Sequence, residues 1–167
     1  MYIDDTPSVN ILQMRAKSRR MAQKHKLGAI FVDYLQLVTS TVRGDRHLQI
    51  GEISRFLKQL ARELECPVIA MSQLSREVEK RQDQIPTLAD LRESGSIEQD
   101  ADVVMFIYRE EKVRKDTERK GIADLIVAKQ RSGPVGDVSL KFWEKYTRFD
   151  NLTKLYSYEE TDPTNEL

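Results

Sequence analysis

Three short apolar runs constrain the fold of this chain more than any other feature. Each run holds between four and six consecutive apolar residues: Ala29–Val32, Val68–Met71 and Val103–Tyr108. Such runs lack polar alternation and are typical of strands that are buried on both faces of a parallel sheet. Between the first two runs, apolar residues from Leu48 to Leu64 recur at spacings of three and four, which predicts an amphipathic helix. Strands separated by a helix or a long crossover predict an α/β fold with a mostly parallel sheet.

The segments around these runs predict a helix near the start and two long loops. Tyr2–Asp4 is predicted to be the end of a short strand. Turn residues follow it, and Ser8 is expected to be the N-cap of a helix over residues 9–26. Gln73–Thr87 is polar and is predicted to be mobile. Arg109–Lys120 carries many charges without a core pattern, which predicts a solvated loop.

The C-terminal part of the chain predicts an antiparallel hairpin. Asp124–Lys129 is predicted to be a strand, and Val138–Phe142 alternates apolar and polar residues as a half-buried strand does. The turn between them contains Gly and Pro, so the two strands are expected to pair with each other. Because the apolar pattern fades after Tyr146, we expect residues 1–152 to form a partial domain and residues 153–167 to be a C-terminal tail.

Composition excludes several classes of protein. Lys+Arg and Asp+Glu both total 27, so the formal net charge is zero and any contact with nucleic acid must be local. Cys66 is the single cysteine, which excludes an intrachain disulfide, and with only His25 and His47 beside it a Cys/His zinc site is not expected. No apolar run approaches the roughly 20 residues that span a bilayer, and the start has no signal-peptide pattern. We therefore expect a cytoplasmic protein without membrane contact.

Two polar residues follow the first two apolar runs. A carboxylate at the position of Asp33 can hold a hydrated Mg²⁺ beside a nucleotide phosphate. The amide of Gln73 can sense a terminal phosphate through a hydrogen bond. Taken alone, however, each residue is more simply interpreted as a capping or loop-ordering side chain.

Two further groups of residues have chemistry that suits phosphate. Residues 91–96 combine an arginine, small hydroxyls and a glycine, and glycine lets a backbone approach a phosphate closely. An ordinary loop is an equally good interpretation. Lys129 and Arg131 are spaced by two residues, so they point to the same side of a strand and can reach a phosphate on a neighbouring subunit. Without further context, a pair of solvated charges is the simpler interpretation.

The sequence lacks a phosphate-binding glycine loop. No Gly-Lys dipeptide occurs among its seven glycines, so the pattern G-x-x-x-x-G-K-[ST] is absent, as is G-x-G-x-x-G. If Asp33 belongs to a P-loop NTPase, the P-loop must lie elsewhere.

Five stretches, taken in order, resemble the C-terminal motor domain of the DnaB-type replicative DNA helicases. They are IDDTP at 3–7, IFVDYLQL at 30–37, PVIAMSQLSR at 67–76, DLRESGSIEQDADVV at 90–104 and AKQRSGP at 128–134. The likeness runs from Tyr2 to about Asn151, which is nearly the whole chain. DYLQL and LRESGSIEQDAD are long and specific motifs, so a chance match to all five stretches is not credible.

The resemblance implies a RecA-like fold that works as a ring of six subunits. It implies ATP with Mg²⁺ between neighbouring subunits and single-stranded DNA through the centre, with ATP-driven unwinding of duplex DNA as the activity. A primase and a helicase loader are the further partners that the family implies. Arg92, Glu93 and Gly95 match the loop that holds the DNA backbone in the family.

The resemblance also assigns roles around the nucleotide. Asp33 matches the Walker B aspartate, which orders Mg²⁺. Gln73 is similar to the residue that senses the γ-phosphate and links it to the DNA loops. Lys129 and Arg131 match the pair that is presented in trans to the ATP of the next subunit.

The sequence departs from the family at its N-terminal side. In the family, a P-loop and a catalytic glutamate precede this region, as does a domain that binds primase, and this sequence contains none of them. The chain is therefore expected to be the second half of a motor that is truncated at the N-terminal side. We expect it not to hydrolyse ATP unaided. We also expect it to self-associate through exposed sheet edges and apolar faces.

Two other interpretations compete with a helicase fragment. One is a non-catalytic DNA-binding or ring-docking module that lost its ATPase half. The other is a RecA-type or circadian-clock-type ATPase core, which shares the fold and the strand-end carboxylate. DYLQL followed by LRESGSIEQDAD argues against the second of these.

Overall fold

The computed structural model describes residues 1–152, without the side chains of residues 92–94; the predicted tail, residues 153–167, lies outside the described residues. The α-helices are α1 Ile11–Lys24, α2 Arg46–Leu64, α3 Gly95–Asp100 and α4 Glu110–Val113. The strands are β1 Ile30–Val32, β2 Val68–Ala70, β3 Val103–Tyr108, β4 Ile122–Gln130, β5 Gly136–Trp143 and β6 Arg148–Asn151. The 3-10 helices are Leu35–Leu37, Arg76–Lys80, Leu88–Ser94 and Glu144–Tyr146. None of the described helices is long and apolar enough to cross a membrane.

The strands form two sheets with α2 between β1 and β2 in the chain. β1 and β2 pair in parallel, with Ile30 opposite Val68 and Val32 opposite Ala70. β3, β4, β5 and β6 form an antiparallel sheet in that order. The α/β class and the hairpin of β4 and β5 are therefore confirmed. The sequence did not predict that β3 pairs antiparallel with β4 and has no hydrogen-bonded parallel neighbour among the described strands.

The helix α1 begins two residues later than predicted. Asn10 is its N-cap: the side-chain oxygen of Asn10 accepts from the backbone N of Gln13 at 2.8 Å. In return, the Gln13 side-chain oxygen accepts from the backbone N of Asn10 at 3.2 Å, which completes a capping box. The prediction of Ser8 as the cap was wrong, because Ser8 has a φ of 53° and lies outside the helix.

The predicted strand at Tyr2–Asp4 is not present. Asp4 instead organises a local turn: its carboxylate accepts from the backbone N of Thr6 at 3.1 Å and from Lys17 Nζ at 2.9 Å. The bond from Lys17 is the main reason that the pKa of Asp4 is lowered from 3.8 to about 2. Side-chain hydrogen bonds to α1 thus hold this segment, rather than a strand ladder.

Two apolar clusters form the core. The first surrounds α2, where Ile50, Ile53 and Leu60 are almost completely buried. The second lies over β3, where Leu91 packs with Val104 and Phe106. The half-buried side chain of Ile97, on α3, packs against both clusters. The short helix α3 therefore connects the apolar cluster around α2 to the apolar cluster over β3.

The apolar strands are buried on one face only, which corrects the expectation of burial on both. On β3, Val104 and Phe106 are buried, but Met105 and Ile107 are 51% and 61% exposed. On β1, Phe31 is 65% exposed. The described helices pack against the opposite face of these strands, and the described residues leave these side chains exposed.

The two segments predicted as loops contain short helices and ion pairs. Gln73–Thr87 includes the 3-10 helix Arg76–Lys80, and Arg81 beyond that helix bonds to Asp90. Within Arg109–Lys120, Arg109 directly precedes α4, and its guanidinium lies 3.8 Å from the centre of the Phe142 ring. Sequence patterns did not predict these elements because polar contacts, rather than apolar periodicity, hold them.

Candidate functional site

The parallel pairing of β1 and β2 brings Asp33 and Gln73 to the same edge of the sheet. Asp33 directly follows Val32, the last residue of β1, and Gln73 follows the end of β2 by three residues. The backbone N of Met71 donates to Val32 O at 3.0 Å, so the segments that follow β1 and β2 remain hydrogen-bonded beyond the last paired residues. The carboxyl ends of parallel strands are where α/β sheets bind ligands. Both polar residues that follow the first two apolar runs therefore lie at this edge.

The side chain of Gln36 ties the two strand ends together. Its Nε2 donates to Ser72 Oγ at 3.1 Å and to Gln73 O at 3.3 Å. Its Oε1 accepts from the backbone N of Gln73 at 3.2 Å. Gln36 therefore fixes the backbone of Gln73 while the Gln73 side chain stays exposed. Sequence analysis assigned no role to Gln36, although its place within the DYLQL motif was the signal that could have found it.

Asp33 has the properties of a single carboxylate ligand. Its side chain is exposed and forms no hydrogen bond or ion pair with the described residues. It borders an open cavity of about 390 Å³ whose lining also includes Asp5 and Lys17. Mg²⁺ keeps several waters and can be held by one or two carboxylates, so Asp33 fits one ligand position. Within the described residues, no group of three or more His, Cys, Asp or Glu residues suits a metal ion.

The sequence contains no glycine-rich phosphate cradle. A backbone cradle for phosphates is built on a glycine-rich loop, and the sequence contains no such pattern. This chain can therefore supply part of a nucleotide site, namely a carboxylate and an amide at the strand ends.

Asp90 anchors the segment that leads to the predicted DNA-contact residues. Its carboxylate accepts from the backbone N of Thr87 at 2.7 Å and from both terminal nitrogens of Arg81, at 2.9 and 2.6 Å. The Asp90 side chain is only 2% exposed, and its bonds to Arg81 are the main reason that its pKa is lowered to about 2. The start of the 3-10 helix Leu88–Ser94 is thus fixed by a buried, ionised carboxylate.

The predicted DNA-contact residues lie where that 3-10 helix passes into α3. Arg92 and Glu93 belong to the 3-10 helix, and their side chains lie outside the described residues. Gly95 is exposed, and a Cβ added to it would meet no atom within 4 Å. Its φ of −48° is open to any residue. The backbone conformation therefore does not require glycine here, and the surface in front of it is open to a ligand.

A β-bulge turns Lys129 toward the covered face of the antiparallel sheet. Lys129 lies opposite Val104, whereas the next pair is Val127 with Met105, so Ala128 is an extra residue in β4. Residues opposite each other in a sheet share a face, and Val104 points into the core. Without the extra residue, Lys129 would share a face with the exposed Met105.

Lys129 and Arg131 both contact the C-terminal end of α3. Lys129 Nζ donates to Glu98 O, and Arg131 Nη2 donates to Gln99 O at 3.3 Å. Arg131 Nε lies 3.5 Å from Asp102 Oδ1. Lys129 on β4 and Arg131 just beyond it therefore both lie against α3. Among the described side chains, no hydrogen bond or ion pair joins either cation to the strand-end residues of β1 and β2.

Asp102 also binds a lysine on α2. Lys58 Nζ forms an ion pair with Asp102 Oδ2, and this bond is the main reason that the pKa of Asp102 is lowered. Sequence analysis gave Asp102 no role. It lies at the end of the LRESGSIEQDAD motif, which was the available signal.

Two solved structures have this fold, which places the chain in the class of RecA-like α/β domains. One is described as the structure of a DnaB-like replicative helicase and its interactions with primase; it aligns with a TM-score of 0.86 at 46% identity, over 90% of this chain and 38% of that one. The other is described as an ATPase domain; it aligns with a TM-score of 0.83 at 47% identity, over 87% of this chain and 52% of that one. The predicted RecA-like fold class is thus confirmed.

The sequence identifies the family within that class. The model of the DnaB-like helicase C-terminal domain matches residues 1–151, and the chain belongs to this family. It is 53% identical over 165 residues to the replicative DNA helicase DnaB of Geobacillus stearothermophilus, and 54% identical over 158 residues to the replicative DNA helicase DnaC of Bacillus subtilis. The alignments cover 98% and 93% of this chain but 36% and 35% of those relatives. The chain therefore spans about a third of the length of these relatives.

Proposed function

We propose that this chain is the C-terminal part of a hexameric, ATP-dependent replicative DNA helicase, which unwinds duplex DNA by translocating on single-stranded DNA. The observation that carries the proposal is that Asp33 and Gln73 both follow the carboxyl ends of the paired strands β1 and β2, in a chain of the DnaB-like family. ATP and Mg²⁺ are the proposed cofactors, single-stranded DNA is the proposed track, and the cytoplasm is the proposed location.

The proposed nucleotide site is shared between two subunits. Asp33 would hold Mg²⁺, which offsets negative charge on the phosphates when it is bound, and Gln73 would hydrogen-bond the terminal phosphate. Lys129 and Arg131 would reach the nucleotide of the neighbouring subunit. Their contacts with α3, rather than with Asp33 of the same chain, are consistent with a role in trans.

The proposed DNA contacts are local, because the chain as a whole has no net charge. Arg92 would pair with a phosphate, and the open surface at Gly95 would let the DNA backbone approach closely. Binding of this kind is weakened by salt and shows little sequence preference.

The complete protein is proposed to act with protein partners. One similar solved structure is described with its interactions with primase, which supports a primase partner for the complete protein. A helicase loader is the second proposed partner, and it rests on the family resemblance alone.

The proposal is tested by replacing Asp33→Asn in the complete helicase and measuring Mg²⁺-dependent ATP hydrolysis and unwinding of a forked duplex. We expect hydrolysis to fall on the order of 100-fold, because loss of a metal-binding carboxylate removes several kcal/mol of charge stabilisation. The control is Asp5→Asn, which removes the same charge from the lining of the same cavity. We expect the 167-residue chain alone to show no turnover in this assay. Equal rates for the two variants would contradict the role of Asp33.

A non-catalytic DNA-binding or ring-docking module is the second candidate. The reading frame of the gene discriminates between them. A P-loop upstream and in frame supports the helicase, and a complete gene without one supports the module.

A further inference from the structure

The backbone of Gln73 is held on both sides of its Cα by a single side chain, that of Gln36. Gln36 Oε1 accepts from the backbone N of Gln73 at 3.2 Å, and Gln36 Nε2 donates to the backbone O of Gln73 at 3.3 Å. The same Nε2 also donates to Ser72 Oγ at 3.1 Å. A side-chain amide that bonds both the N and the O of one residue restrains the two peptide planes that flank its Cα. Gln36 therefore sets the direction in which the Gln73 side chain leaves the backbone.

The backbone that carries Gln36 is itself fixed by the core. Gln36 is the middle residue of the first 3-10 helix, and the flanking Leu35 and Val38 are only 3% and 4% exposed. The backbone N of Leu35 donates to Met71 O at 2.9 Å, which holds this helix against the end of β2. The guanidinium of Arg46, at the start of α2, donates to the backbone O of Gln36. The amide of Gln36 is therefore presented to Gln73 by a well-packed segment.

The side chain of Gln73 has no support of its own. It is exposed and forms no hydrogen bond with the described residues. A free glutamine side chain samples several rotamers, and holding it at one point costs conformational entropy. Because the Gln73 backbone is already fixed, fewer orientations of its amide have to be excluded when a ligand binds at the strand ends.

We propose, on the basis of the function proposed above, that Gln36 is a positioning residue for Gln73 and thereby sets how strongly the nucleotide site prefers ATP over ADP. Gln73 is the proposed partner of the γ-phosphate, which ADP lacks. Asp33 is the proposed ligand of Mg²⁺, and among the described residues no hydrogen bond joins Gln36 to Asp33. Loss of the Gln36 amide therefore weakens recognition of the γ-phosphate and leaves the binding of Mg²⁺–ADP unchanged.

The test is Gln36→Met in the complete helicase, because methionine has a similar length and lacks the amide that bonds Ser72 and Gln73. The affinities for Mg²⁺–ADP and for a non-hydrolysable ATP analogue with Mg²⁺ are measured without DNA. We expect the preference for the ATP analogue over ADP to fall about tenfold, the value of one hydrogen bond to a charged group. The affinity for Mg²⁺–ADP should stay at the wild-type value. Gln73→Ala should lower the preference by at least the same factor.

The double variant Gln36→Met/Gln73→Ala shows whether Gln36 acts through Gln73. Its preference for the ATP analogue should equal that of Gln73→Ala alone, because no side-chain amide at position 73 is left to be positioned. The matched control is Gln49→Met, which makes the same substitution in a glutamine whose side chain bonds Arg46 and Gly44 instead. This control should keep the wild-type preference.

The proposal is overturned if Gln36→Met keeps the wild-type preference while Gln73→Ala loses it. It is also overturned if Gln36→Met weakens both nucleotides equally, which indicates a general loss of structure, or if Gln49→Met has the same effect. A further loss of preference in the double variant would show that Gln36 acts by another route. If Gln73→Ala itself keeps the wild-type preference, the proposed role of Gln73 fails, and the role of Gln36 fails with it.

Discussion

Asp90 shows how a single buried carboxylate can position a loop whose own sequence has little apolar pattern. It accepts hydrogen bonds from Thr87 and Arg81, and these bonds stabilise its ionised form. The segment between residues 81 and 90 is thus closed by charge and hydrogen bonding, directly before the proposed DNA contacts. The free energy that these bonds to Asp90 contribute to folding should consequently depend on pH.

The pKa of Asp90 lies at about 2 in the folded chain, compared with 3.8 for an unperturbed aspartate. A carboxyl with a lowered pKa in the folded state stabilises the fold above its unfolded pKa, and this stabilisation is lost as pH falls through the folded value. We expect the ionised Asp90 carboxylate to contribute about 1–2 kcal/mol to the free energy of unfolding at pH 6. The value is modest because Arg81 is partly exposed and solvent weakens the ion pair.

The measurement compares urea unfolding of wild type and Asp90→Asn at pH 6, 4 and 3. The difference in unfolding free energy should be nearly constant between pH 6 and 4, and should decrease toward pH 2. A difference that is independent of pH would contradict ionisation as the source of the stability.

Gly95 is a position where glycine is not required by the fold. Its φ is −48° and the space beyond its Cα is open. Replacement Gly95→Ala should therefore leave the unfolding free energy unchanged or raise it by a few tenths of a kcal/mol through helix propensity. In the complete helicase, it should weaken single-stranded DNA binding about tenfold, because the methyl group would separate the backbone from the DNA.

The matched control for this substitution is Gly136→Ala, because a Cβ at Gly136 also meets no atom within 4 Å. Fluorescence anisotropy with a labelled oligonucleotide measures both affinities. If Gly95→Ala binds single-stranded DNA with wild-type affinity, the proposed close approach of DNA at Gly95 is contradicted.

At the scale of elements, apolar periodicity correctly predicted the helices and strands whose formation depends on burial of apolar side chains. The helix α2 and the strands β1 to β5 all follow from apolar patterns, because burial of apolar surface drives their formation. The pattern failed for α4 and for β6. β6 is four residues long and, among the described strands, pairs with β5 alone, and no apolar run marks it.

The candidate site was predictable to a similar extent. The sequence showed that Asp33 and Gln73 each follow an apolar run, and the parallel pairing of those runs brings both residues to one edge of the sheet. The contacts of Lys129 and Arg131 with α3 did not follow from the sequence. They depend on a bulge at Ala128, and a one-residue shift in pairing has no signature in composition or spacing.

At the scale of the whole molecule, exposed apolar side chains on the strands are the most prominent feature. Phe31 on the parallel sheet, and Met105 and Ile107 on the antiparallel sheet, are more than half exposed. Exposed apolar surface of this kind favours association. The 167-residue chain should accordingly sediment with an average mass that rises with concentration.

Substitution Ile107→Glu should shift this association toward the monomer, because it places a charge among these exposed apolar side chains. Val135→Glu is the matched control, since Val135 is equally exposed, at 61%, but lies in the turn before β5. Analytical ultracentrifugation of the three proteins checks the prediction. Association that is unchanged in Ile107→Glu would show that a different surface is used.

The position of Ile97 between the two apolar clusters has a consequence for how the molecule unfolds. When one side chain packs against two clusters, the loss of either cluster weakens the other, and the transition becomes cooperative. Replacement Ile97→Ala should cost about 2 kcal/mol and should also separate the unfolding of the α2 cluster from that of the β3 cluster. Hydrogen exchange would then show two groups of amides with different opening free energies, whereas a single group would indicate that other contacts maintain cooperativity. A helix of six residues would thus determine whether this chain melts as one body or as two.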